Sequence, residues 1–385
     1  MDLATFERLL APEGMDLLAQ IADASPRESD LALGTRLRAQ HAPDLVAAAM
    51  TQHALRLKAV SKFGADAQHM FFTPDALEQS TRLRVATHRA ERLASHGESA
   101  VVDLGCGIGG DLIALARAGL HVRGVDLDPV RVAIAQANLN ALDLPGTVEC
   151  ADATTVSIAN HEVAFIDPAR RSARGRTFST ADISPPWDWV TSLLAGRAVA
   201  KLMPGLAHDH VPEGVEAEWV SDGGNLVEAC LWGAPYATTQ RRATALPDGG
   251  TLTWQGTQAA VGDVGRFLYE PDDAVIRAGA VAELAEQLGG RLPDPHIAYI
   301  TTDEHAPTTL AACFEVLDEV PFHTKALKAA LRARDAGTLT IKRRGVDVVP
   351  EQLIKKLGLK GRSETTLIMT RVDGHGRAFV VQRRT

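Results

Sequence analysis

The sequence predicts an α/β protein, a mostly parallel sheet with helices on both faces, flanked by a helical amino-terminal region and a small basic α+β module. Three observations carry this. Ala100–Pro129 reads as strand, glycine-rich turn, helix and second strand ending on an acid, one half of a doubly wound sheet. Further strand-length apolar runs follow up to Trp232, and the last two are separated only by Asp222-Gly223-Gly224, the mark of a closing antiparallel hairpin. Lys and Arg, finally, gather at the carboxyl end.

Composition sets the bounds. With 385 residues, 45% hydrophobic and 23% charged, the chain has room for two or three globular domains. Its start, MDLATFERLLAPEG, lacks the basic-then-apolar pattern of a signal peptide, and no apolar run spans a bilayer, so no membrane partner is expected. Cys106, Cys150, Cys230 and Cys313 are scattered, which points to a reduced, cytoplasmic setting without structural zinc. His208 and His210 lack a ligand spacing, so no metal is expected. The net charge of −8 argues against a nucleic-acid partner until its distribution is examined. From His323 onward 15 Lys and Arg face 5 Asp and Glu, a net of +10, leaving −18 for the rest. Such asymmetry suggests a module for a polyanion, with a merely solvated basic face as the alternative.

Residues 1–97 show apolar residues at helical spacing in four stretches: 4–22, 30–40, 42–63 and 74–94. Before the last of these stands Phe71-Phe72-Thr73-Pro74-Asp75, in which Thr73 suits a helix cap and Pro74 a first helical position.

In Ala100–Pro129 the first strand gives way to Gly105, Gly107, Gly109 and Gly110, where the backbone can turn sharply and a ligand can approach. Asp103 in the preceding strand repels a pyrophosphate but suits a cationic, amino-acid-like ligand. Asp126, ending the second strand, can accept hydrogen bonds from both ribose hydroxyls. VVDLGCGIGGD resembles motif I of the class I S-adenosylmethionine-dependent methyltransferases, and GVDLDP resembles their motif II. The resemblance implies a Rossmann-like seven-stranded methyltransferase sheet, its last strand antiparallel, and S-adenosyl-L-methionine as cofactor. It places Asp103, Gly105, Gly107, Gly109, Asp126 and Leu127 around that cofactor. It also implies that Asp152, after the strand Thr147–Cys150, receives the adenine amine and that the Ala153 amide meets the ring; a turn-forming Asp152 is the plainer alternative. The aromatic-Thr-Pro stretch is similar to one lining the cofactor pocket in the trimethylguanosine synthase group, which would add Thr73 and Pro74.

The fourth strand, Glu162–Ile166, is followed by Asp167-Pro168-Ala169-Arg170-Arg171, at the place of motif IV in amine-methylating relatives. There an acid and a proline carbonyl orient the target amine, which gives Asp167 and Pro168 the catalytic positions. Ala169 and Arg170 stand where those enzymes carry a second proline and an aromatic. Asp-Pro-x-Arg also resembles the D-P-P-R of 5-methyluridine methyltransferases, but those need a nucleophilic cysteine, and Cys230 alternates as strand core. Arg170, Arg171, Arg174 and Arg176 make a loop suited to phosphate. Ser184-Pro185-Pro186-Trp187 reads as a helix start, Ser184 capping; folded back, it would offer Trp187 as a stacking platform.

Strands Arg197–Met203, Glu216–Ser221 and Asn225–Trp232 complete the sheet, followed by a hairpin over 238–255 and a helix over 274–289. The tail resembles the THUMP-like domain of certain bacterial methyltransferases, which implies structured RNA as partner. Its phosphate contacts would be Lys342, Arg343 and Arg344, with Lys355-Lys356 and Lys360-Gly361-Arg362. The expected domains are 1–97, 98–260, a connecting segment 261–320 and 321–385. The expected activity is methylation of an RNA base. A small-molecule or protein methyltransferase, or a non-catalytic binder of cofactor and RNA, are the alternatives.

Overall fold

The computed structural model describes residues 1–25, 27–170 and 182–384. The chain divides into two compact units, 1–215 with 231–237, and 216–230 with 238–385.

The first unit opens with helices α1 (Leu3–Leu10), α2 (Pro12–Ala22), α3 (Asp30–Arg38) and α4 (Pro43–Phe63). The single helix expected over 4–22 is broken at Ala11, because Pro12 cannot continue α1 but suits the first turn of α2. The helix expected over 74–94 is likewise two, α5 (Pro74–Gln79) and α6 (Leu83–Ser95), parted by an extended Ser80. Lys62 stitches this break: its ammonium donates to the carbonyls of Leu77, Glu78 and Ser80 at 2.7–2.8 Å.

The α/β part of this unit runs β1 (Ala100–Leu104), α7 (Gly110–Arg117), β2 (His121–Asp126), α8 (Pro129–Ala141), β3 (Thr147–Cys150) and β4 (Glu162–Ile166). It continues with β5 (Ala169–Arg170), β6 (Ile183–Ser184), α9 (Trp187–Leu194) and β7 (Ala198–Leu202). The parallel strands lie in the order β3-β2-β1-β4-β7. Leu104 is in register with Val125 and Ile166, and Ile166 with Ala200. Gly105, Asp126, Asp167 and Lys201 therefore emerge side by side at one carboxyl edge.

Ser184 does not cap a helix. It sits in β6, which pairs antiparallel with β5, Ser184 opposite Ala169, and α9 begins only at Trp187 without a side-chain cap. The chain thus folds back beside Asp167-Pro168.

In the second unit β8 (Glu216–Asp222) and β9 (Asn225–Trp232, whose last two residues count with the first unit) are joined through Gly223 and Gly224. Their φ values of 61° and 75° are those of a tight hairpin turn, which only glycine adopts without strain. Cys230 is fully buried in β9, as its alternation required. The next hairpin, β10 (Arg241–Leu246) and β11 (Gly250–Thr253), sets β10 parallel to β8, so two strands extend the expected seven.

A six-stranded sheet follows, built from β12 (Phe267–Pro271), β13 (Ile300–Thr302), β14 (Ala311–Val320), β15 (Ala336–Arg344), β16 (Ser363–Val372) and β17 (His375–Arg384) in the order β13-β12-β14-β17-β16-β15. Residues 261–320 therefore supply three strands to the sheet that carries the basic tail. Helices α10 (Asp273–Ala278) and α11 (Val281–Gln287) replace the one helix expected there, split at Gly279 with φ 73°. Helices α12 (Thr324–Ala333) and α13 (Pro350–Leu357) complete the unit. Strand alternation divides its core: Leu367, Met369, Ala378 and Val380 join Leu327, Leu331, Leu353 and Leu357 of the helices, whereas Ile368, Phe379 and Val381 pack with Leu268, Tyr299 and Phe314.

Candidate active site

Two buried amide side chains fix the wall beside the glycine-rich turn. Gln52 of α4 donates to the Phe72 carbonyl (2.5 Å) and accepts from its N–H (3.0 Å). Asn138 of α8 accepts from the Phe71 N–H (2.6 Å) and donates to the carbonyls of Phe71 (3.1 Å) and Ile108 (2.9 Å). The Phe71–Phe72 backbone is thereby held like a strand between two helices and tied to the motif I turn. Phe63 and Phe72 pack with ring centres 5.6 Å apart, and Phe63 lies under Gly110. Thr73 caps α5 through the Ala76 N–H (3.3 Å).

The turn itself is built for close approach. Gly105, Gly107 and Gly109 all have positive φ, and a Cβ on Gly105 would lie 3.1 Å from the Asp167 carbonyl oxygen. Asp126 organises the turn: its two oxygens accept from the N–H groups of Gly107 and Asp128, both at 2.9 Å. Leu127, next to it, is a large apolar side chain left 69% exposed.

The charge pattern is unusual. Asp103 is buried in β1, and among the described residues neither carboxylate oxygen has a hydrogen-bond partner. Burial pushes its carboxyl well above the ordinary range, Asp111, Asp167 and Asp126 push further, and Lys201 opposes them. For Asp111 burial acts in the same upward direction, but Arg89 and Lys201 outweigh it and hold the carboxyl below its ordinary value. Arg89, fully buried in α6, forms an ion pair with Asp111, lies over the Phe165 ring, and shares Asp111 with the Thr81 hydroxyl. Lys201 pairs with Asp167 at 2.5 Å. Burial raises the Cys106 thiol well above its usual value, so it is not poised as a thiolate.

The first-unit edge thus gathers Asp103, Gly105, Gly107, Gly109, Asp126, Leu127, Asp167 and Pro168. Asp152 is exposed and forms the turn that was its plainer reading: one oxygen accepts from the Thr154 N–H (2.8 Å) and hydroxyl (2.7 Å). Ala153 follows it, half-buried. Trp187 is half-buried at the start of α9. Arg170 ends β5, whereas Arg171, Arg174 and Arg176 lie outside the described residues. Lys342, Arg343 and Arg344 are on β15 of the second unit, where Lys342 pairs with Glu270 (2.5 Å) and Arg344 with Asp273 (3.6 Å).

Lys201, Arg89, Gln52 and Asn138 escaped the sequence reading. Only Lys201 left a signal, a lone cation in the apolar strand AVAKL. Among the described residues no cluster of three or more His, Cys, Asp or Glu is arranged to hold a metal, and no helix is long and apolar enough to cross a membrane.

This architecture, a parallel sheet whose carboxyl edge carries a glycine turn ringed by acids, is that of a class I methyltransferase. Family models agree: residues 101–167 match a methyltransferase domain, 311–383 a THUMP domain-like model, and 2–59 a domain of unknown function. Uncharacterised S-adenosylmethionine-dependent methyltransferases of Mycobacterium tuberculosis, from strains CDC 1551 / Oshkosh and ATCC 25618 / H37Rv, are each 36% identical over 331 residues. The match covers 83% of this chain and 90% of theirs. The chain belongs to the S-adenosylmethionine-dependent methyltransferases. A crystal structure described as a methyltransferase from Porphyromonas gingivalis W83 shares the fold, with TM-score 0.77 at 20% identity over 98% of both chains. The cofactor is therefore S-adenosylmethionine, and the edge fits it: an orphaned buried carboxylate suits a cationic ligand, and the open space at Gly107 leaves the turn accessible.

Proposed function

We propose that the protein methylates a base in structured RNA, with the second unit docking the RNA. When bound, S-adenosylmethionine supplies an electrophilic methyl group on a sulfonium. Asp103 meets the positive charge of its amino-acid portion, and Asp126 accepts from the ribose hydroxyls. Gly105, Gly107 and Gly109 admit the ligand to the backbone. Leu127 would pack on the adenine, Asp152 and the Ala153 amide would receive its polar edge, and Thr73 and Pro74 would close the wall held by Gln52 and Asn138.

At the target, Asp167 and the Pro168 carbonyl accept hydrogen bonds from the acceptor amine and aim its lone pair at the methyl group. In-line transfer depends mainly on such alignment. Lys201 is a positioning residue: it occupies one Asp167 oxygen and leaves the other for the target. The β5–β6 pairing supports Trp187 as the stacking surface that Asp-Pro-Ala-Arg lacks, and Arg170 and Arg171 suit the neighbouring phosphates. On β15, Arg343 is the exposed cation, flanked by the paired Lys342 and Arg344.

The observation that carries the RNA reading is the THUMP domain-like match over the most basic part of the chain. The test is incubation of the purified protein with labelled S-adenosylmethionine and total RNA from a strain lacking its gene. Label in RNA, abolished in Asp167→Ala, is expected. Cofactor binding without label in any RNA would favour a non-RNA acceptor or a silent binder, the reading to which the altered motif IV points.

A further inference from the structure

The basic charge of the tail is sorted by the fold. Of the fifteen Lys and Arg from His323 onward, six are consumed by acids of residues 270–319. Arg334 takes Asp318, Lys342 Glu270, Arg344 Asp273, Arg371 Asp294, Arg377 Glu319, and Arg384 Glu315. Five of these six pairs join strands or the segments beside them, so the sheet neutralises most of its own cations, Arg343 and Arg383 apart.

The helices do not. On α12, Lys325, Lys328 and Arg332 stand three and four residues apart, on one side of the helix, while Leu327 and Leu331 turn into the core. On α13 and the turn after it, Lys355, Lys356, Lys360 and Arg362 are all exposed. None of these seven side chains has an ion-pair or hydrogen-bond partner among the described residues. The two groups adjoin: a Cβ on Gly358, which ends α13, would lie 3.7 Å from the Lys328 ammonium. No acid occurs within α12 or from Lys355 to Arg362.

A helix dipole explains only part of this. It favours cations in the last turn, which accounts for Arg332 on α12, for Lys355 and Lys356 on α13, and for the approach of Lys328. Lys325, Lys360 and Arg362 lie outside its reach. The surface is also wrong for a protein partner, since protein interfaces are depleted in lysine and enriched in aromatics, and this face presents five exposed or half-exposed lysines beside Arg332 and Arg362 and no exposed aromatic. Lysine-rich, aromatic-poor surfaces suit phosphates, which reward each cation with released counterions.

Resting on the RNA reading above, we propose that the α12–α13 face, rather than the β15 strand, is where the RNA backbone docks. It reads phosphates and not bases, so its contribution is affinity without sequence choice.

The test is binding of end-labelled, purified tRNA to the full-length protein across a salt series. The wild type is compared with Lys325→Glu/Arg332→Glu/Lys360→Glu, three exposed positions, and with Arg27→Glu/Arg38→Glu/Arg383→Glu, which changes charge equally elsewhere. Thermal melting checks that both variants fold. The face variant is expected to bind at least about 10-fold more weakly at moderate salt and to flatten the log–log salt slope by about 2 to 3, one for each lost contact. The control should stay within about 2-fold, at the cost of long-range charge alone. Equal losses in both variants, or none in either while the wild type binds, would overturn the docking face and leave the RNA reading intact. A wild type that binds no tRNA or ribosomal RNA at low salt, yet binds poly-glutamate, would remove both. A duplex DNA of similar length separates RNA from any polyphosphate: binding as tight and as salt-dependent as RNA's would overturn the assignment of this face to RNA.

Discussion

In the first unit four carboxylates, those of Asp103, Asp111, Asp126 and Asp167, converge on one sheet edge and the deepest of them has no hydrogen-bond partner among the described residues; in the second unit the sheet pairs most of its cations with acids while two helices keep theirs open. The difference teaches where to look for ligands. Charge that a fold satisfies internally is structure, and charge that it leaves unsatisfied is held for something else. Asp103 buried and orphaned, and Lys325, Lys328 and Arg332 solvent-facing to different degrees and unpaired among the described residues, are opposite forms of the same signal.

The largest effect should come from Asp167→Ala, which removes the acceptor for the target amine while leaving the cofactor wall intact. Methyl incorporation is expected to fall by about 100-fold or more, with S-adenosylmethionine affinity within about 3-fold. A matched loss of cofactor affinity would place Asp167 on the cofactor side of the comparison. Next is Arg89→Met, which strands a buried Asp111. About 3 kcal/mol of stability should go, read as a lower denaturant midpoint, because breaking one partner of a buried pair leaves an uncompensated charge. Asn138→Leu orphans one N–H and two carbonyls and should cost on the order of 3 kcal/mol, with cofactor affinity falling alongside. The smallest effect belongs to Lys342→Ala. Its pair with Glu270 is partly exposed, and its removal should cost under about 1 kcal/mol and change RNA binding by less than about 3-fold.

Much of the first unit was legible because its chemistry is local. Gly105 to Gly110, Asp126 and the strand ends are fixed by spacing within a single βαβ unit, and the structure keeps those bounds to the residue or nearly so. What escaped depends on distance or on very short elements. Lys201 and Asp167 meet because β7 lies beside β4, which no periodicity reports. The β5–β6 pairing is two residues long on each side, below the length at which alternation is visible. Helix breaks at Ala11, Ser80 and Gly279 interrupt apolar patterns that continue across them, so pattern alone joined what backbone chemistry separates. The partner of Lys342 is equally invisible to pattern, because its acid, Glu270, lies 72 residues away. Sequence shows where cations are, and only the fold shows which ones are taken.

The sign of the Asp103 effect follows from its raised carboxyl. A carboxyl raised in the folded state contributes stability that is full below the ordinary aspartate value and is lost as pH rises through the raised value. A cationic ligand reverses the preference, since it favours the charged form. Calorimetric titration of S-adenosylmethionine at several pH values, in buffers of different ionisation enthalpy, reads this directly. The expected result is tighter binding as pH rises above the ordinary carboxylate range, with proton release on binding, and both effects absent in Asp103→Asn, which should bind at least about 10-fold more weakly. Binding that neither releases protons nor depends on Asp103 would contradict the claim that the buried, unpartnered carboxylate is held for the cofactor.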